Sequence, residues 1–213
     1  MIQTFTFNPL GENTHVIWCD QTLKAAIIDA GMYDRNECEV IKNFLNENKL
    51  ELTLLLGTHA HIDHIFGNWW IRQAYPDVPY YLHPDDIPMI ERSETMAAIW
   101  NLNYTPSMLP DNFLNHGDQI SLGKMQLDVR FVPGHAPGHV IFINTSENWA
   151  IVGDTVFQGS IGRTDLPGGN HELLLNKIQS EIFTLPENMV LLPGHGPKTT
   201  VTHEKSHNPF FNS

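Results

Sequence analysis

Apolar and polar positions alternate in short runs along much of the chain, the period expected of strands. Apolar side chains fall at Ile2, Phe5 and Phe7, then in His15-Val16-Ile17-Trp18, then over 25–28. Turn-forming sequences, Asn8-Pro9-Leu10-Gly11 and Asp20-Gln21, separate these runs and predict three strands. Over 34–48 the period lengthens, and Val40, Ile41, Phe44 and Leu45 recur at the spacing of an amphipathic helix. Leu52-Thr53-Leu54-Leu55-Leu56 is a short, nearly unbroken apolar run, the mark of a strand buried on both faces, and it stops at Gly57-Thr58-His59. A helical pattern follows over about 63–75, a strand over 79–82, and short helices over about 84–104. The second half repeats the alternation, with strands over 119–122, 127–131, 140–143, 150–152 and 189–192 and a helix over 171–183. Strands and helices are mixed throughout and no linker interrupts them. This predicts a sheet-rich α/β fold, with helices packed outside, forming one domain over 1–213.

Charge narrows the function classes. The 213 residues carry 12 Lys and Arg against 24 Asp and Glu, a formal net charge of −12. Such a chain lacks the basic face that tracks nucleic-acid phosphates or docks on anionic lipid. Neither nucleic acid nor membrane is expected as a partner. No apolar run approaches the ~20 residues of a membrane span, and the N-terminus lacks the basic start and apolar stretch of a secretion signal. Cys19 and Cys38 are too few for a disulfide framework. A soluble protein of a reducing compartment, the cytoplasm, is the expectation. Histidine stands out, for its 12 residues equal Lys and Arg combined.

Those histidines cluster. Thr58-His59-Ala60-His61-Ile62-Asp63-His64 puts three imidazoles and a carboxylate directly after a buried strand. Histidines at i and i+2 of an extended loop can converge on one cation, and Asp63 and His64 project toward a neighbouring position. Imidazole nitrogen and carboxylate oxygen are the donors that zinc and similar first-row ions take. Further donors stand on glycine-containing turns after later apolar runs: His135 in Pro133-Gly134-His135-Ala136-Pro137-Gly138-His139, Asp154 in Gly153-Asp154-Thr155, and His195 in Pro193-Gly194-His195-Gly196-Pro197. Glycine lets the backbone turn tightly beside each donor. Loops anchored at strand ends hold such side chains stiffly.

In this order the four segments resemble the metallo-β-lactamase superfamily, and within it the glyoxalase II-like hydrolases, over about residues 8–211. The resemblance implies a four-layer αββα sandwich with pseudo-symmetric halves. It places His59, His61 and His135 on one metal, Asp63, His64 and His195 on a second, and Asp154 between them. Two divalent ions are expected, zinc first, with iron or manganese accepted by the same donors. The resemblance also implies hydrolysis of a small thioester such as S-lactoylglutathione. Only Lys198 and Lys205 follow the last ligand as cations, so the activity class carries over further than the identity of the thiol.

The expected chemistry is attack on the thioester carbonyl by a hydroxide held between the two ions, with Asp63 orienting it as well as ligating. No Ser or Cys nucleophile is required, and a thiolate leaves with little protonation. Arg163, in the loop after Asp154, is a candidate for a substrate carboxylate or peptide carbonyl, against an internal salt link to Asp165. Phe157 is divided between core and substrate clamp. His139 is expected to support the turn rather than to ligate, His83 to end a strand, and His15, His116, His171, His203 and His207 to lie on the surface or cap helices. Persulfide dioxygenase, with one iron on His59, His135 and Asp154, and a lactonase are the alternatives. An inert metal-binding scaffold is the non-enzymatic one.

Overall fold

In the computed structural model, which describes residues 1–212, the strand-rich first half forms one six-stranded sheet. Strands β1 (Ile2–Phe7), β2 (Glu12–Trp18) and β3 (Lys24–Ile28) make an antiparallel meander. Helix α1 (Arg35–Glu47) then crosses over to β4 (Glu51–Leu56), parallel to β3. Helix α2 (Asn68–Ala74) leads to β5 (Tyr80–Leu82) and α3 (Ile87–Ile99) to β6 (Asn112–Phe113), both strands extending the sheet in parallel. The second sheet repeats the plan. β7 (Gln119–Leu122), β8 (Met125–Phe131), β9 (Val140–Asn144) and β10 (Trp149–Gly153) form a meander. After a small hairpin, β11 (Val156–Phe157) with β12 (Ser160–Ile161), helix α4 (His171–Lys177) crosses to β13 (Val190–Pro193), parallel to β10. β14 (Thr199–Thr200) and α5 (Val201–His207) complete it.

Successive side chains of one strand part company into different cores, because strand side chains alternate between faces. Ile17, Ala26, Ile28 and Leu56 of the first sheet meet Leu127, Val129, Phe142 and Ile151 of the second in one buried cluster. Their neighbours Val16, Ala25, Ile27 and Leu55 pack outward on Ile41 and Leu45 of α1 and Ile71 of α2. Ile141, Ile143, Ala150 and Val152 pack outward on Leu174 of α4 and Val201 of α5. Helices, sheet, sheet and helices therefore stack as four αββα layers. Burial of both strand faces also explains the nearly unbroken apolar runs, since each fully buried Leu, Ile or Phe contributes roughly 1.5–3 kcal/mol.

The helix over 34–48 forms as expected. The Asp34 side chain caps it, accepting from the backbone N–H groups of Asn36 and Glu37 at 2.8 and 3.0 Å. Three expectations are corrected. The helix expected from residue 63 is a single 3₁₀ turn, Ile62–His64, followed by a break before α2. The Asp63 carbonyl accepts from Asn8 Nδ2 at 3.2 Å instead of from a helical N–H. The stretch from residue 84 holds a 3₁₀ turn, Pro84–Asp86, and then one long helix in place of a series of short ones, with Pro88 in the first turn of α3, where a missing N–H costs nothing. The helix over 171–183 passes into a π-turn at Ile178–Ile182.

Candidate metal centre

All seven donors stand just past strand ends: residues 59–64 after β4, His135 after β8, Asp154 after β10 and His195 after β13. Backbone hydrogen bonds bind these loops to one another. Val140 N–H donates to Thr58 C=O at 2.8 Å, Gly194 N–H to Gly153 C=O at 2.9 Å, and Asn13 N–H to Gly194 C=O at 2.7 Å. Asp86, fully buried, brackets two ligand loops with one carboxylate, accepting from Ala60 N–H at 2.9 Å and Gly138 N–H at 2.6 Å. Burial pushes its carboxyl up to about 7 against these two hydrogen bonds.

The side chains converge as two triads. His59, His61 and His135 form one, and Asp63, His64 and His195 the other, the donor atoms of each lying within 4.8 Å of one another. In the first, His61 Nδ1 is 2.8 Å and His59 Nε2 is 3.3 Å from His135 Nε2. In the second, Asp63 Oδ2 is 3.1 Å from His195 Nε2 and 3.7 Å from His64 Nε2. Asp154 lies between them, with Oδ2 3.5 Å from His135 Nε2 and 3.6 Å from His195 Nε2, and Oδ1 3.5 Å from His64 Nε2.

Outer hydrogen bonds set which nitrogen of each ring faces the centre. His135 Nδ1 donates to the Arg163 carbonyl at 2.8 Å, and His195 Nδ1 to the Gly11 carbonyl at 3.2 Å. Asp29 organises two more rings. It accepts from His64 Nδ1 at 3.0 Å and from the Thr58 hydroxyl at 2.7 Å, and that hydroxyl, its proton spent, accepts from His59 Nδ1 at 3.0 Å. Asp29 also groups with His59 and His64 at ligand spacing, but its oxygens are occupied by these hydrogen bonds and by Thr58 N–H. It therefore orients ligands rather than providing one.

These tautomers test whether the residues suit a cation. His59 and His135 both turn bare Nε2 lone pairs toward each other at 3.3 Å, a repulsive contact unless a positive ion lies between. Two nitrogens at ~2.0–2.1 Å from one tetrahedral ion sit about that far apart. His64 Nε2 and Asp154 Oδ1 are buried with no hydrogen-bond partner. The donor set fits divalent metal. Burial holds His59, His61 and His135 below the ordinary imidazole range, His61 at about 3, so these rings are neutral and ready to ligate. Burial also opposes charge on His64 and Asp154, yet their mutual attraction prevails. His64 is held above the ordinary range, with Asp63 adding to the effect, and Asp154 below its own.

His139 does not point a nitrogen at either triad. Its Nε2 accepts from Asp154 N–H at 3.0 Å, which fixes the Asp154 backbone, and its ring stacks on His59. The Phe157 ring meets His195 edge-on at 6.2 Å between centroids, flanking the centre. The Arg163 guanidinium pairs with Asp165 through two 2.8 Å hydrogen bonds and is exposed. Its backbone carbonyl, rather than its side chain, reaches the site. His15, expected on the surface, is instead buried in β2 and hydrogen-bonded to Thr4 Oγ1 at 2.9 Å; burial lowers its pKa to about 4. His203-Glu204-Lys205-Ser206-His207 on α5 spells a helical zinc-binding pattern. Glu204, however, is buried and satisfied by Thr199, Gly159 and Asn208. Sequence reasoning missed Asp29, Asp86 and Asn13, whose Nδ2 donates to the Pro193 and Gly196 carbonyls at 3.0 and 2.8 Å on either side of His195. Asp29 carried the same signal as the ligands, a carboxylate directly after an apolar run with a glycine two residues on.

Beside His61 a cleft of about 200 Å³ opens between α3 and the loop carrying Leu166 and Gly168. It gives a small molecule access to the three-histidine side of the centre.

The family model of the metallo-beta-lactamase superfamily matches residues 7–195. Hydroxyacylglutathione hydrolase GloC of Haemophilus influenzae is 34% identical over 203 residues, 95% of this chain and 93% of that protein. The crystal structure of BLEG-1 B3 metallo-beta-lactamase superposes with a TM-score of 0.91 at 33% identity, covering all of both chains. TTHA1623, crystallised in a di-iron-bound form, superposes with a TM-score of 0.87 at 34% identity, covering 98% of this chain and 99% of that one.

Proposed function

From the membership of this chain in the metallo-beta-lactamase superfamily, we propose that it is a metal-dependent hydrolase of small thioesters, sharing its reaction class with hydroxyacylglutathione hydrolase. The observation that carries the reading is the meeting of two ligand triads on Asp154. A relative named for thioester hydrolysis, 34% identical over nearly its full length, supports it. Two divalent ions would be held, one by His59, His61 and His135 and one by Asp63, His64 and His195, with Asp154 serving both. Zinc suits the donors, and the di-iron form of TTHA1623 makes iron the alternative. Ions held there would lower the pKa of water and polarise a carbonyl.

The chain's own residues do the rest. Asp63, a carboxylate at the floor of the site, accepts a hydrogen bond from the attacking water and orients it. His61 borders the cleft, so the carbonyl is presented on that side. The Thr58–Asp29 pair and the carbonyls of Arg163 and Gly11 hold the ring orientations through turnover. The leaving thiol has a pKa near 8.5 and departs as thiolate, so no general acid is needed.

A β-lactam amide is the second reading, favoured by the likeness to BLEG-1. Metal-loaded protein should hydrolyse S-lactoylglutathione or a related thioester at least a hundredfold faster than a chromogenic β-lactam. His59→Ala and Asp154→Ala should each lose both metal and turnover. The reverse substrate preference would overturn the thioester reading. So would oxygen uptake with a glutathione persulfide in place of hydrolysis.

A further inference from the structure

We infer that the acyl group of the substrate is apolar, of about ring or six-carbon size, and lies in the cleft beneath α3. This deepens the thioester reading and rests on it. The cleft starts at His61 and Ala60 of the metal loop, so a group bonded to a carbonyl at the centre enters it directly. Its walls are apolar: Met89 and Met96 of α3, Trp100 at the C-cap of that helix, Pro137 from the turn that carries His135, and Leu166 and Pro167 opposite. Asp85 and Arg92, charged residues of the lining, are exposed at the mouth. Ser93 faces the cleft but turns its hydroxyl away, donating to the Ile90 carbonyl at 2.5 Å.

A hydroxylated acyl such as lactoyl would bring a polar group into this space, where burial without a partner is costly. The one Lys or Arg of the lining, Arg92, is exposed at the mouth, so the carboxylates of a peptide-like thiol would find no partner deeper in the cleft. Of the two arms of such a thioester, only the acyl arm can be apolar. Benzene occupies an apolar cavity of about 150 Å³, so the 200 Å³ here holds a benzoyl or hexanoyl group. Two of the walls are methionines, whose flexible side chains accommodate varied shapes.

The test uses metal-loaded protein and a set of glutathione thioesters differing only in the acyl group: acetyl, lactoyl, butyryl, hexanoyl and benzoyl. With about fourfold per buried methylene, hexanoyl and benzoyl should exceed acetyl and lactoyl in kcat/KM by tenfold or more. Met96→Trp, which fills the cleft, and Leu166→Gln, on its loop wall, should each collapse the hexanoyl-to-acetyl ratio toward one. Independently of turnover, hexanoate should change the fluorescence of Trp100, and the change should vanish in Trp100→Phe. Thioester hydrolysis with a flat acyl series and no hexanoate signal would overturn this inference while leaving the hydrolase intact. Hexanoate binding without hydrolysis of any thioester would overturn the thioester reading and, with it, the assignment of the cleft to an acyl group.

Discussion

At the scale of single residues, the centre depends on side chains that never face it. Asp29 is shared by His64 directly and by His59 through the Thr58 hydroxyl, so one carboxylate fixes a ring in each triad. Asp29→Asn keeps the shape but offers one acceptor oxygen in place of two. It should lower metal affinity by about 10- to 100-fold, read by competition with a chromophoric chelator, with far-UV circular dichroism unchanged. The two triads should also part with pH. His64 and His195 are held above the ordinary imidazole range, burial resisting in both; Asp154 and Asp63 outweigh it for His64, Asp63 and Asp154 for His195. As pH falls, these two rings take up protons that an ion must displace, while His61, at about 3, stays neutral. Affinity for the Asp63–His64–His195 side should drop about tenfold per pH unit for each proton displaced. Metal content should therefore fall from two ions per chain toward one as the pH is lowered. A site that emptied in the other order would contradict this assignment.

At the scale of elements, the ligand loops are short turns that pass close beneath the donors. Gly194 shows the tolerance. A Cβ there would fall on the Asp154 carboxylate and 2.6 Å from His64 Cε1. Gly194→Ala should fold, since β13 before it is buried and paired, yet it should lose the second ion, as counted by metal analysis after dialysis. Much at this scale was legible in the chain. The strand runs, the 34–48 helix and the seven donor side chains that converge could be read because periodicity and glycine-flanked donors are local signals. The break after His64 was not, since it depends on Asn8, 55 residues away, taking the Asp63 carbonyl. Asp86 was equally hidden. Nothing near Pro84-Asp85-Asp86 announces that its carboxylate will clamp loops 26 and 52 residues away. Helix α3 was underestimated because its apolar residues line a cleft as well as a core, which blurs the helical period.

At the scale of the whole molecule, each triad is assembled from both halves of the chain. His59 and His61 need His135, and Asp63 and His64 need His195. The inner core is likewise shared, with Ile17 and Ile28 against Phe142 and Ile151. Ions bound across this seam favour the folded state alone and so stabilise it, by ~4 kcal/mol at a thousandfold excess over the dissociation constant. Stripping them with a chelator should lower the Tm by about 10 °C in scanning calorimetry. The chain should still unfold in one transition, because the sheets share a core without the metal.

The division of ligands between the halves also bears on how the protein is made. When the segment around His61 leaves the ribosome, most of its partners have not been synthesised, and it offers passing ions only an incomplete, floppy chelate. Tight capture waits until His195 has emerged and the sheets have closed. Loading is thereby a final step of maturation, and a truncated product would release its ions rather than sequester them.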